Sequence, residues 1–163
     1  MSTRSFIGIL GEDGAIRAVY CHSDGYPSYV GQTLLDHYQS AAKIAGLINL
    51  GDLSCIGPEL GEKHPFGPVG FEGDVMKAYD DYEAKYGHMC RAYGRDRDKE
   101  NVAAKTYKTE RTFLNGAKAH DAKYAYLYRG GEWLVWDLAP KPRQVWSNYT
   151  SVANAIKLTA HSY

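Results

Sequence analysis

The chain has 163 residues and a mass of 18.2 kDa, the size of one domain, 1–163, with enough material to bury a core without disulfide or metal staples. Its 19 basic and 19 acidic side chains cancel, which argues against general nucleic-acid coating and against a highly acidic DNA mimic. Cys21, Cys55 and Cys90 are odd in number, widely spaced and without a C-x-x-C pair, so neither a disulfide framework nor a zinc site is expected, and a reducing cytoplasm fits best.

No apolar run approaches the roughly 20 residues of a membrane span. Residues 1–4 lead straight into a strand pattern rather than a signal-peptide apolar region, so a soluble cytoplasmic protein without membrane contact is expected. Tyr is over-represented, at 14 of 163 residues. A phenol buries a ring and keeps a polar tip, so the surplus favours a recognition surface or a half-buried sheet face. The zero net charge hides a split: residues 1–84 carry five basic and twelve acidic side chains, 85–123 ten and five, and 124–163 four and two. A basic middle third can orient an anionic ligand, a partner chain or a second copy, although a solvated helix face with spare lysines has the same composition.

In chain order, 6–10 and 15–20 are short β-branched and aromatic runs separated by Gly11-Glu12-Asp13-Gly14, a hairpin signal. The second strand alternates Ile16, Ala18 and Tyr20 with Arg17, Val19 and Cys21, and delivers His22 and Asp24 at its end. From Val30 the spacing turns helical through Leu34, Leu35 and Tyr38, then again through Ile44, Leu47 and Ile48, with Ser40 as a cap and Gly51 as the stop. Residues 52–73 are rich in Gly and Pro and predict a long ordered loop whose His64-Pro65-Phe66 tip can act as a lid. Asp74 caps a helix ending at Gly87, and 88–93 predicts a strand. Residues 101–115 lean towards helix on Ala and Lys content, against their Thr and aromatic residues. The clearest strand signal is 123–138, where Tyr124, Tyr126 and Tyr128 alternate with Ala125 and Leu127 before a Gly130-Gly131 turn and Trp133 to Trp136. Pro140-Lys141-Pro142 ends it, and Ser147 or Thr150 opens a closing helix. The sum is an α+β domain: an antiparallel sheet of two hairpins plus a central 88–93 strand, with helices mainly on one face.

Candidate chemistry concentrates at Tyr20-Cys21-His22-Ser23-Asp24-Gly25-Tyr26-Pro27-Ser28-Tyr29-Val30-Gly31, where one break between elements holds a thiol, an imidazole, a carboxylate and three phenols. Cys21 and His22 point to opposite faces of a strand, so they do not form an activated pair; a nucleophilic Cys21 needs His64, His88 or His120 from elsewhere. His22 and Asp24 can share one side of an extended segment, but two ligands make no metal site, and neither a metal nor a cofactor is expected. Arg91, Arg95 and Arg97 alternate, which in an extended segment places three guanidiniums on one side to hold phosphate, with Tyr26, Tyr29 and Tyr93 available to stack on a base. Asp96 and Asp98 interleave with these arginines, as in a salt-bridged surface turn.

Residues 6–22, then Asp24-Gly25-Tyr26-Pro27-Ser28 and Gly31 with Leu34-Leu35 and His37-Tyr38, resemble a family of small uncharacterised proteins encoded in bacteriophage and bacterial genomes. The likeness continues through Leu47-Ile48, Leu50-Gly51-Asp52-Leu53-Ser54, Ala92-Tyr93 with Arg95-Asp96-Arg97, and Tyr124 to Tyr128 with Gly131-Glu132-Trp133. Ser23 stands where the family commonly has tryptophan, and Gly94 where it often has histidine. The resemblance implies a phage accessory gene acting in the host cytoplasm, and by analogy an anti-defence role.

The leading expectation is a non-enzymatic, oligomeric binding protein that neutralises a host defence protein or a nucleotide-type small molecule. Its pocket would comprise Tyr20, His22, Asp24, Tyr26, Tyr29, Arg91, Tyr93, Arg95 and Arg97. One alternative is a small hydrolase of a phosphorylated or cyclic nucleotide with His22 and Asp24 as acid and base; another is a module that binds only proteins.

Overall fold

The computed structural model describes residues 2–70, 72–140 and 142–160, and in it both hairpins form where local chemistry demands them. β1 (Ser5–Leu10) and β2 (Ile16–Cys21) pair antiparallel from Ser5 opposite Cys21 to Leu10 opposite Ile16. The Asp13 carboxylate accepts the Ala15 amide at 3.0 Å, and Gly14 takes φ +83°, a conformation that costs glycine least. β6 (Tyr124–Arg129) and β7 (Glu132–Asp137) join through Gly130 and Gly131, at φ +62° and +81°, the mirror-image turn that matches strand twist.

The sheet is mixed, which corrects the expected antiparallel one. β1 runs parallel to β6, from Ser5 opposite Tyr124 to Ile9 opposite Tyr128, and so joins the two hairpins side by side. After β2 the chain crosses one face through a π-helical turn (Pro27–Gly31), α1 (Gln32–His37) and α2 (Ala41–Asn49) before β3 (Leu53–Cys55). That crossover returns β3 parallel to β2, with Cys21 opposite Leu53. β4 (Arg91–Ala92) pairs with β3 at the sheet edge, so the 88–93 segment is neither central nor six residues long. β5 (Lys105–Tyr107) pairs with the first half of β2, and β8 (Tyr149–Ser151) with β7. Among the described residues this makes eight strands, in the order β4-β3-β2-β1-β6-β7-β8, with β5 beside β2.

Alternation sends Ile7, Val19, Cys21, Tyr126, Trp133 and Val135 to one face, under α1, α2 and α6 (Val152–Thr159). Phe6, Ile16, Ala18, Ala125, Leu127, Leu134 and Trp136 go to the other, under Phe113 and Ala117 of α5 (Glu110–Ala119). Helices therefore cover both faces, three on one and α5 on the other, where the sequence suggested mainly one.

Local caps decide the helix ends. The Ser40 hydroxyl accepts the Lys43 amide, and the Asp74 carboxylate accepts the Met76 and Lys77 amides ahead of α3 (Val75–Tyr86). In 101–115 the Thr-rich half becomes β5, and reciprocal capping by Thr109 and Thr112 starts α5 only at Glu110. α6 opens at Ser151, whose hydroxyl accepts the Asn154 amide, one residue after the expected Thr150. At the expected stop of the second hairpin, Lys141 lies outside the described residues.

Gly51 has φ +77°, and a Cβ there would run into the Val102 carbonyl. Gly51→Ala should therefore destabilise the fold by at least ~1 kcal/mol, read as a lower urea midpoint with an unchanged m value.

Candidate functional site

The register of β2 continues past its last residue. The His22 amide donates to the Leu53 carbonyl at 2.9 Å and the Ser23 amide to the Ser54 carbonyl at 3.0 Å, so the turn is stitched to β3. Two-residue periodicity puts Tyr20 and His22 on one side, where the phenol and imidazole Nδ1 hydrogen-bond at 2.7 Å. Asp52, just before β3, reaches back to accept the Tyr20 amide on its carboxylate at 3.0 Å. Its own amide donates to Val102 at 2.8 Å, and its carbonyl accepts the Tyr93 amide at 3.2 Å.

These contacts shape a cleft of about 460 Å³ lined by Tyr20, His22, Asp52, Tyr93, Arg97, Lys99, Val102 and His120. Arg97 comes from α4 (Tyr93–Arg97) and Lys99 from the turn after it, where Asp98 adopts φ +55°. His120 comes from the C-terminal end of α5, its Nδ1 2.9 Å from the Gly116 carbonyl oxygen and its ring 6.2 Å from that of Tyr20. Two imidazoles, a guanidinium and an ammonium thus surround one carboxylate. Burial raises the Asp52 carboxyl above its ordinary range, against the pull of the Tyr20 amide and of Lys105. Burial likewise raises the Tyr20 phenol, opposed by Arg4, and the Tyr93 phenol.

The structure divides the sequence-predicted residues. Tyr20, His22, Tyr93 and Arg97 share the cleft. Asp24, Tyr29 and Arg91 line a separate polar pocket of about 240 Å³. Tyr26 faces a third, of about 220 Å³, beside Lys123, Asp137 and Arg143. His22 and Asp24 therefore do not meet in one cavity. Asp24 takes φ +54° and turns its carboxylate to the Tyr26 hydroxyl at 3.1 Å. Asp52, Lys99 and Val102 carry no local motif, and His120 stands out in sequence only as a stray ligand; a fold-level contact is what brings them in.

Arg91, Arg95 and Arg97 do not alternate along a strand, because the chain turns helical at Tyr93. Arg95 points inward: its Nε donates to Asp96 at 2.9 Å and its Nη atoms to the Leu60 and Cys90 carbonyls at 2.8 Å each. The fully buried Asp96 carboxylate also accepts the Ala92 and His64 amides, at 2.8 and 3.2 Å. Buried His64 places Nε2 3.0 Å from the Cys90 carbonyl oxygen and stacks on Tyr86 at 5.2 Å. Its Nδ1 lies 2.9 Å from the Pro65 carbonyl oxygen, which accepts the Tyr82 hydroxyl. The tip of the 52–73 segment is thus tied into the interior, a poor arrangement for a lid. Desolvation pushes the Asp96 carboxyl up, but Arg95 and the two amides outweigh it and hold it below the usual aspartate range.

Burial pushes all three thiols up, and Cys21 and Cys90 are fully enclosed. Among the described residues no group of three or more His, Cys, Asp or Glu side chains is placed to hold a metal ion, and no helix is long and apolar enough to cross a membrane. Comparisons with protein-family models, curated proteins and solved structures return no match to this chain.

Two outcomes follow from this chemistry. The depressed folded-state value of Asp96 gives stability that is intact above the ordinary aspartate value near 3.9 and is lost as the pH falls below it. Asp96→Asn should cost about 3 kcal/mol at neutral pH and flatten the acid limb of a urea-midpoint profile. A thiol reagent should label native protein slowly at half-buried Cys55 and reach Cys21 and Cys90 only on unfolding, as peptide mapping would show.

Proposed function

We propose that this chain is a binding protein that sequesters a phosphate-bearing, nucleotide-type ligand in the cleft beside Tyr20 and His22. The observation that carries this reading is the make-up of the cleft, in which His22, Arg97, Lys99 and His120 face a single carboxylate, Asp52, within about 460 Å³. Charge-assisted donors of this kind suit phosphate oxygens, and small-ligand pockets typically span roughly 300 to 1,000 Å³. The Tyr20 and Tyr93 rings supply the aromatic wall a base would lie against, and Asp52 an acceptor for ligand N–H or O–H groups. The resemblance to phage-encoded proteins supports the biological role: an accessory protein that neutralises a host factor by withholding a nucleotide-type signal. Self-association and a protein partner belong to the same proposal. Both are supported by Val69, Val75, Met76 and Tyr79, whose large apolar side chains stand half or more exposed.

A second reading, turnover of the ligand, is favoured by one contact. The hydrogen bond between the Tyr20 phenol and His22 Nδ1 orients an imidazole in the cleft, as general acid–base catalysis requires. The titratable groups available to it there are Asp52 and His120 rather than Asp24.

Thermal shift against linear and cyclic nucleotides, followed by chromatography of the recovered compound, tests both readings. A ligand at 100 times its dissociation constant should stabilise by about 2.7 kcal/mol. Arg97→Ala and Lys99→Ala should each weaken a hit by about tenfold, or ~1.4 kcal/mol, in calorimetry. Recovery of intact compound supports sequestration, recovery of cleaved compound that is spared by His22→Ala supports turnover, and no shift with any compound overturns both.

A further inference from the structure

The polar pocket beside the cleft has a chemistry of its own. Arg91 enters it from β4 with its guanidinium held between two rings, 5.5 Å from the Phe66 centroid and 5.2 Å from that of Tyr82. The clamp leaves the edge donors to be satisfied. Nε is buried without a hydrogen-bond partner, Nη2 is ion-paired with a Glu83 oxygen at 3.6 Å, and the guanidinium also meets the Tyr82 hydroxyl. Nε and Nη2 form one edge of the guanidinium, the edge that takes both oxygens of a carboxylate side by side. A buried donor left unpaired costs free energy, and Nε is the donor of this guanidinium that a ligand oxygen would satisfy.

Opposite charge completes the site. Asp24 and Glu83 line the same cavity, with Ser23, Ser54 and Tyr29 between them. Asp24 is held in the left-handed region, φ +54°, with the Val30 amide on its carbonyl at 3.2 Å and the Gly25 amide on the Thr3 carbonyl at 2.7 Å. One guanidinium and two carboxylates around one cavity repel a plain cation at one end and a plain anion at the other. A molecule that carries both signs a few ångströms apart satisfies all three. The pocket's 240 Å³ equals the liquid volume of about eight waters at ~30 Å³ each, which matches a small solute.

We infer that this pocket is a second binding site, for a small zwitterion of the free α-amino acid class. The carboxylate sits on the Nε/Nη2 edge of Arg91 and the ammonium lies between Asp24 and Glu83. The site is independent of the proposed nucleotide cleft and stands or falls separately from it.

The test follows the arginine Nε–H resonances of ¹⁵N-labelled full-length protein, with Arg91 assigned by loss of its peak in Arg91→Lys. Glycine, L-alanine, L-serine and L-glutamine are titrated to about 10 mM, with acetate and methylamine as half-ligands. The expected result is that at least one amino acid shifts the Arg91 Nε–H peak and slows its exchange with water, while each half-ligand binds at least tenfold more weakly. Glu83→Gln, at an exposed position, should weaken the amino acid about tenfold without weakening acetate, which keeps the test open if Arg91→Lys does not fold. The proposal is overturned if no amino acid moves the peak, which would mean that Glu83 itself closes on the edge in solution. It is equally overturned if acetate alone matches the amino acids, which would make the pocket an anion subsite.

Discussion

Asp52 is the residue on which the cleft depends. Its carboxylate holds the Tyr20 amide, its amide holds the Val102 carbonyl, and its carbonyl holds the Tyr93 amide. One residue therefore fastens the end of β2, the segment leading to β5 and the start of α4. These are the three stretches that carry Tyr20 and His22, Val102, and Tyr93 with Arg97. The arrangement is possible because Gly51, at φ +77°, stops α2 and lets the backbone come against Val102 where a side chain would collide. A half-buried carboxylate is costly unless hydrogen-bonded, and the backbone partners it finds are the ones that define the site.

A second polar knot fixes what surrounds the cleft. Asp96 takes two main-chain amides and the Arg95 guanidinium, and Arg95 in turn spends its remaining donors on the Leu60 and Cys90 carbonyls. The segment from β3 to α3 has little secondary structure of its own, yet it is held at Leu60 and His64 by charge-assisted bonds from Arg95 and to Asp96. Such a buried pair is weak evidence for net stability, because desolvation offsets the attraction. Its stronger effect is specification: with Arg95 and Asp96 committed inward, Arg97 and Lys99 stay exposed, each over an aromatic ring, Phe66 and Tyr93.

Features with a short-range cause were legible in the sequence. The two hairpins follow from alternation plus glycine turns, and the caps at Ser40 and Asp74 from residue types whose side chains reach the next amides. The split of Ile16, Ala18 and Tyr20 from Val19 and Cys21 follows from the pleat itself. What pairs with what across the sheet is not local. Ser5 lies beside Tyr124 because two finished hairpins bury their aromatic faces best side by side, and no turn residue encodes that. The run 91–97 misleads for a related reason. Its odd-numbered arginines mimic a strand, but Asp96 folds back to the Ala92 amide and closes a helical turn, which sends Arg95 inward and Arg97 outward. The candidate site was half legible on the same grounds. Tyr20 and His22 sit two apart on a strand, whereas Asp52, Lys99 and His120 reach them only through tertiary contact.

The tyrosine surplus also has a use that composition does not suggest. Tyr38 and Tyr126 are fully buried, and their hydroxyls donate to the Gly57 and Gly25 carbonyls at 2.7 Å each. The Tyr82 hydroxyl serves the Pro65 carbonyl at 2.6 Å. Phenols here span the core and satisfy carbonyls of loops that have no ladder to join. One half-buried ring gathers several contacts. Phe66 stacks on Tyr93 at 5.5 Å, with Arg97 5.4 Å from its centroid and Arg91 5.5 Å. Its ring therefore packs against two guanidiniums at once. Two cations that share a single ring cannot move independently: an anion that draws Arg97 off Phe66 changes the packing that holds Arg91. The Arg91 and Arg97 side chains are thereby placed in mechanical contact through one hydrophobic side chain.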